Sequence, residues 1–242
     1  MGARDYVEET KFGFWFLGTE TWRVHVVERA LADLVRMMRP ALPAQRVVLD
    51  AGCGQGLSLG LLHTQFQPSR LIGLDADPKA LAMARKHARA QGVPVELHEG
   101  DAQSLPFPGG SVDLIFCHQT LHHMVHQDDA VREFHRVLAP GGWLLLAEST
   151  RAYIHSWIIR ALFRHPMDQQ RSAPEFVDML HRHGLEFGPE QISLPYLWWS
   201  RSDLGALEWF GLGVPSEREE TLVNIAARKP AQAGAATPSL FL

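Results

Sequence analysis

Residues able to hold or move charge fall into two groups in this 242-residue chain. The first is Val47-Val48-Leu49-Asp50-Ala51-Gly52-Cys53-Gly54-Gln55-Gly56, where an acid follows three β-formers and glycines fall at alternate positions. The apolar run suits a buried parallel strand, and the glycines let backbone come close to a ligand. A helix starting near Leu57 would aim its positive N-terminal end into the same crevice. The second group is His118, His122, His123 and His126, with Cys117 and Gln119, just past another apolar run. Histidine is the natural general base near neutral pH, so this cluster could take a proton from a hydroxyl or a carbon acid. It could equally serve to order its own loop.

The glycine spacing narrows the ligand. Gly52, Gly54 and Gly56 give G-x-G-x-G, and Leu57 stands where a dinucleotide fingerprint needs glycine, which argues against NAD or FAD. An acid directly before the loop suits a ligand with a positive amino group and no pyrophosphate. A second apolar run, Leu71-Ile72-Gly73-Leu74, ends in Asp75, an acid placed to accept hydrogen bonds from a ribose diol. Asp77 reads as a helix N-cap, with Pro78 at the first helical position and Gly92 as the stop.

These residues need a scaffold, and the remaining pattern supplies one. Strands at 46–50, 70–75, 94–98, 112–117 and 143–148 alternate with helices at 57–66, 77–91 and 128–139, the signature of a parallel sheet with helices on both faces. A third strand leads to Glu99-Gly100-Asp101-Ala102, and a turn at Pro140-Gly141-Gly142 precedes the fifth. Ser172-Ala173-Pro174-Glu175 reads as a capping box opening a helix that stops at Gly184. Segments near 185–194 and 219–228 read as two last strands.

The four ordered motifs resemble the class I S-adenosylmethionine (SAM) dependent methyltransferases. The likeness is to the branch holding ubiquinone/menaquinone C-methyltransferases and many small-molecule methyltransferases, and it covers roughly residues 45–150. It implies an α/β fold, a Rossmann-like doubly wound sheet of seven strands with an antiparallel edge strand, N-terminal helices and a C-terminal lid insert. It divides the chain into an N-terminal helical cover (1–44), a SAM-binding core (45–150), a helical and aromatic insert with the last strands (151–229), and a tail (230–242) whose Ala/Pro/Gly content reads as disordered. By the same resemblance, Asp50, Gly52, Cys53, Gly54 and Gly56 hold the methionine half of SAM. Asp75 binds ribose with Ala76 beside the adenine, Asp101 and Ala102 read the adenine edge, and His118 and Gln119 close over the methionine end. S-adenosylhomocysteine would be the product. His118 and His123, then His122, are the candidates for a catalytic base.

Composition bounds the partners. A net charge of −4 with no Lys/Arg block gives nothing to grip a phosphate backbone. No Asn/Asp-Pro-Pro-aromatic motif follows the fourth strand, which also argues against a nucleic-acid methyltransferase. Two cysteines without metal spacing suit a reducing compartment. Charges at Arg4, Asp5, Glu8 and Glu9 read against a signal peptide, and no apolar run reaches membrane-spanning length. The expectation is a cytoplasmic protein of undefined oligomeric state. Trp15, Trp22, Trp157, Trp198, Trp199 and Trp209 lie outside the core, with Phe12, Phe14, Phe16, Phe163 and Phe210. Aromatics in the covering segments suit an apolar or planar small-molecule acceptor. Residues 153–166 read as one helix, a lid in preference to a membrane-surface contact. A non-catalytic SAM-binding regulator is the reading from another class.

Overall fold

The computed structural model describes residues 10–39, 46–195, 206–213 and 220–231; Trp198, Trp199 and the tail from 232 lie outside the described residues. A seven-stranded sheet forms the centre, in the order β3-β2-β1-β4-β5-β7-β6. Its strands are β1 (Val47–Ala51), β2 (Arg70–Asp75), β3 (Glu96–Glu99), β4 (Val112–His118), β5 (Leu138–Ser149), β6 (Ile192–Ser193) and β7 (Leu222–Arg228). β1 to β5 pair in parallel, and β7 runs antiparallel to both β5 and β6 at the far edge. The helices are α1 (Lys11–Leu17), α2 (Glu20–Trp22), α3 (Glu28–Met37), α4 (Leu59–Phe66), α5 (Pro78–Gln91), α6 (Gln127–Val137), α7 (Arg151–Ile154), α8 (Trp157–Leu162), α9 (Ala173–Arg182) and α10 (Ala206–Trp209). A π-turn over Arg23–Val27 joins α2 to α3.

The central strands are apolar on both faces because both faces are covered. Leu49, Ile72, Ile115, Cys117, Leu144 and Leu146 pack with Phe134 of α6 and Phe176 of α9. Their neighbours in sequence, Val48, Leu71, Leu114, Phe116 and Leu145, point the other way onto Leu34, Leu59, Leu62 and Ala84. A step of one residue changes face, as strand geometry requires.

Local signals set most boundaries. Asp77 caps α5 by accepting the Lys79 N–H at 2.9 Å, Pro78 opens the helix, and Gly92 closes it at φ +66°. Ser172 and Glu175 form the reciprocal capping box of α9. Most other boundaries shift by one or two residues, the strand expected near 185–194 shortens to Ile192–Ser193, and three further departures have a clear local cause. α4 begins at Leu59, two residues late, because Leu57 and Ser58 still belong to the glycine turn. β5 begins at Leu138, since pairing of Val112 with Leu138 carries the strand through the Pro140–Gly142 bend. Residues 153–166 are not one helix: α7 and α8 are separated at His155-Ser156. Among the described residues no helix is long and apolar enough to cross a membrane.

Candidate functional site

β1 and β4 are neighbours, yet the chain leaves β1 toward β2 and returns on the opposite side at β4. At such a switch point the loops diverge and open a crevice beyond the carboxyl ends of the strands. Here it is a cavity of about 230 Å³ walled by the four loops that follow β1 to β4 and roofed by Phe14, Leu17, Trp22 and Val27. Asp50, Gly52, Cys53, Gly54, Asp75, Ala76, Asp101, Ala102, His118, Gln119 and His123 all reach its wall. Gly56 does not; it is buried behind the loop, where a Cβ would come 2.9 Å from the Ala84 Cα. His122 is buried outside the lining, and His126 is exposed at the start of α6, its N–H on Gln103 Oε1 at 3.0 Å.

Each wall residue is held by backbone geometry. Gly52 and Gly54 have φ of +80° and +51°, a region costly for residues with a side chain. At Gly54 an added Cβ would meet nothing within 4 Å, so this stretch of backbone faces the cavity bare. Asp75 braces the loop: Oδ2 accepts the Gly54 N–H at 2.8 Å and Oδ1 the Asp77 N–H at 2.9 Å. Gln119 also sits at positive φ, +53°, with its N–H on Ala147 O at 2.8 Å and its amide oxygen accepting from Ser149 Oγ. The roof is tied down by Gln55, whose Nε2 donates to Phe14 O at 2.6 Å.

The electrostatics are one-sided. Asp50, Asp75, Asp77 and Asp101 line the cavity, and no Lys or Arg among the described residues does. Burial pushes the Asp50 carboxyl up to about 7, opposed by the hydrogen bond from Ser58 Oγ. Asp75 is raised by burial as well, opposed by the backbone N–H groups of Asp77 and Gly54. Burial, then repulsion from His122, lowers His118 to about 3. The same causes, with His165 added, hold His123 well below the usual imidazole range. Both rings are therefore neutral near pH 7, and His118 Nε2 is buried without a hydrogen-bond partner among the described residues. Burial likewise raises the Cys53 and Cys117 thiols, which suits structural, inert cysteines.

A sulfonium nucleoside fits this wall. Carboxylates without cations suit a positively charged, phosphate-free ligand. Asp75 keeps lone pairs beyond the two it commits, and bare backbone at Gly54 allows close approach.

Sequence reasoning did not single out Glu148. This carboxylate at the end of β5 is fully buried; Oε1 accepts the N–H groups of Thr120 and Leu121 at 2.8 and 2.7 Å, and Oε2 contacts His122 Nδ1 at 2.6 Å. It thereby fixes the loop at Thr120, Leu121 and His122. An acid closing an otherwise apolar strand was the available signal. His165 was also missed, and it lies against His122 and His123 with ring centroids at 5.0 and 4.8 Å.

The chain resembles known proteins in sequence and in fold. Residues 49–146 match the family model described as a methyltransferase domain. Over 127 residues the chain is 33% identical to demethylmenaquinone methyltransferase of Thermus thermophilus, covering 52% of this chain and 53% of that protein. Over 121 residues it is 34% identical to fatty-acid O-methyltransferase of Mycolicibacterium smegmatis, covering 50% and 43%. The chain spans about half or less of the length of these curated relatives. Among solved structures, a methyltransferase in complex with the Trm112 methyltransferase activator of Haloferax volcanii superposes with a TM-score of 0.66 at 20% identity, covering 91% of this chain and 96% of that one. That likeness establishes the fold.

Proposed function

We propose, from the match of residues 49–146 to the methyltransferase domain model, that the chain transfers a methyl group from SAM to a small apolar or aromatic acceptor by in-line displacement. The observation that carries this reading is a cavity wall with four carboxylates and, among the described residues, no Lys or Arg, at the switch point between β1 and β4. When bound, SAM supplies an electrophilic methyl on a sulfonium sulfur. Asp75 accepts from the ribose hydroxyls, beside Ala76. Asp50 and the bare loop Gly52-Cys53-Gly54 receive the amino-acid half, with Gln119 and His118 over it. Asp101 and Ala102 read the adenine edge. Gly56 contributes by packing α5 against the loop rather than by contact.

The chain's contribution to rate is chiefly positioning, which can supply much of the acceleration of a two-substrate displacement. The aromatic roof excludes water and offers apolar surface to the acceptor. Phe12, Phe16 and Phe163 join α1 to the segment after α8, with Phe12–Phe163 centroids at 6.0 Å and Phe16–Phe163 at 6.2 Å. Thr10 Oγ1 donates to Leu162 O at 2.7 Å across the same junction. This join supports reading 153–166 as a lid over the site. Trp15 and Trp157 remain exposed on that cover, which suits delivery of a lipophilic acceptor; the two relatives named above act on a quinone precursor and on fatty acids by their names. His118 and His123 are neutral proton acceptors at the wall, and His122 fixes the neighbouring His123.

The test is sequential. Calorimetry with S-adenosylhomocysteine should give a one-to-one complex, and labelled SAM with quinone, fatty-acid and mixed lipid fractions should label one of them. Tight binding with no labelled fraction would favour the non-catalytic regulator. His118→Gln, His122→Gln and His123→Gln should lower turnover beyond any change in SAM affinity; unchanged turnover in all three removes the base role from this loop.

A further inference from the structure

Three histidines from two distant stretches of chain converge beside the cavity. His122 and His123 come from the loop after β4, and His165 from the segment after α8. Their ring centroids lie 4.2, 5.0 and 4.8 Å apart, and their ligand nitrogens all fall within 4.8 Å of one another. We propose that His122, His123 and His165 form a binding site for a divalent transition cation of the Zn²⁺/Co²⁺ class.

Two features make this more than a contact between rings. His122 Nδ1 is engaged by the buried Glu148 carboxylate at 2.6 Å. A carboxylate accepts, so Nδ1 carries a proton and Nε2 is the nitrogen left to face an ion. This carboxylate–histidine arrangement is the one that orients imidazole ligands at metal sites. The other feature is a strap across the gap. Gln170 Nε2 donates to His122 O at 2.8 Å and to Pro166 O at 2.9 Å, so one buried amide fixes the segment bearing His165 against the loop bearing His122. Two ligand-bearing segments that share a brace are positioned before any ion arrives.

Three imidazoles select a borderline cation over Mg²⁺ or Ca²⁺, which prefer oxygen. At about 2.0–2.1 Å per Zn–N bond, tetrahedral ligands stand about 3.4 Å apart, so the rings must close by roughly 1 Å or more, a motion of side chains. Three protein nitrogens leave a fourth position. His123 also lines the main cavity, which sets the ion at its wall, where an oxygen of the acceptor can complete the shell. With the ion bound, His123 is a ligand and His118 alone is left as the proton acceptor. A bound ion would also pin the 153–166 segment to the core.

The assignment is read without SAM, so its failure leaves the methyl-transfer proposal standing. Untagged full-length protein, stripped with chelator and dialysed, is titrated with Co²⁺ and then Zn²⁺. One Co²⁺ per chain should bind, with visible absorption of a low-symmetry imidazole site that Zn²⁺ abolishes. His165→Gln should weaken binding at least about 10-fold while circular dichroism and S-adenosylhomocysteine binding persist, and Glu148→Gln should weaken it about 10–100-fold. Absence of stoichiometric Co²⁺, or affinity in His165→Gln and His123→Gln equal to the parent's, overturns the site. If Glu148→Gln does not fold, His165→Gln alone decides.

Discussion

Glu148 and His122 meet at 2.6 Å where solvent does not reach, the carboxylate wholly buried and the imidazole 3% exposed. The same carboxylate takes the Thr120 and Leu121 N–H groups, so one side chain from β5 fixes the path of the chain leaving β4. The strand edge and the loop above it are thus joined by polar bonds in an apolar layer, where such bonds cost most to lose.

Glu148→Ala therefore leaves three buried donors without an acceptor. At about 1–3 kcal/mol for each unsatisfied group, unfolding in urea should report a loss of about 3 kcal/mol or more. His122→Ala should cost less, because Glu148 keeps its two backbone donors. Equal losses in both variants would mean that the carboxylate acts through His122 alone.

The glycines of the loop divide by what stands behind them. Gly56→Ala brings a Cβ to 2.9 Å from backbone of α5 at φ +78°, whereas Gly54→Ala points into open cavity. Gly54→Ala should lose only about 1–2 kcal/mol for its left-handed backbone yet bind S-adenosylhomocysteine poorly. Gly56→Ala should lose stability first, with a larger drop in melting temperature. Calorimetry and thermal melting on both variants check the division, and the reverse ranking would exchange the two roles.

Much of this was legible because it is local. Asp77, Pro78 and Gly92 mark α5 by capping chemistry, and the alternation of apolar runs with helical ones dictates the sheet. The cavity was readable from Asp50, Asp75, Asp101 and His118 because acids and polar residues at strand ends can only gather at one edge. What was not legible depends on partners far away in sequence. β5 reaches back to Leu138 only because Val112 is there to pair with it. His165 joins His122 across 43 residues through Gln170, and no spacing rule links them. His126, four residues beyond His122 in an identical-looking run, ends exposed because α6 turns the chain away from the cavity.

Asp75 carries the cofactor half most directly. Asp75→Asn keeps the size of the side chain and an acceptor for one backbone N–H, but removes the charge that strengthens bonds to hydroxyl donors. Affinity for SAM should fall by about 1–3 kcal/mol, roughly 5–150-fold, with little change in stability. Calorimetric affinity matching the parent protein would remove ribose from this residue.

Asp50 gives the fold an unusual response to pH. The unfolded chain releases its proton near pH 3.9, while burial holds the folded carboxyl up to about 7. Its contribution is therefore fully present below about pH 4 and is lost as pH rises through 7. His118 works the other way, since burial lowers it from 6.5 to about 3; its contribution is present above about 6.5 and is lost as pH falls toward 3. The two offset each other over their common range. Asp50→Asn should leave the histidine effect uncompensated, so that stability rises more steeply with pH between about 4 and 7 than in the parent, by up to about 1.4 kcal/mol per pH unit for one proton. Urea unfolding across that range measures it directly. Parallel profiles for variant and parent would mean that Asp50 is already ionised in the folded protein at low pH, and that the Ser58 hydrogen bond outweighs burial.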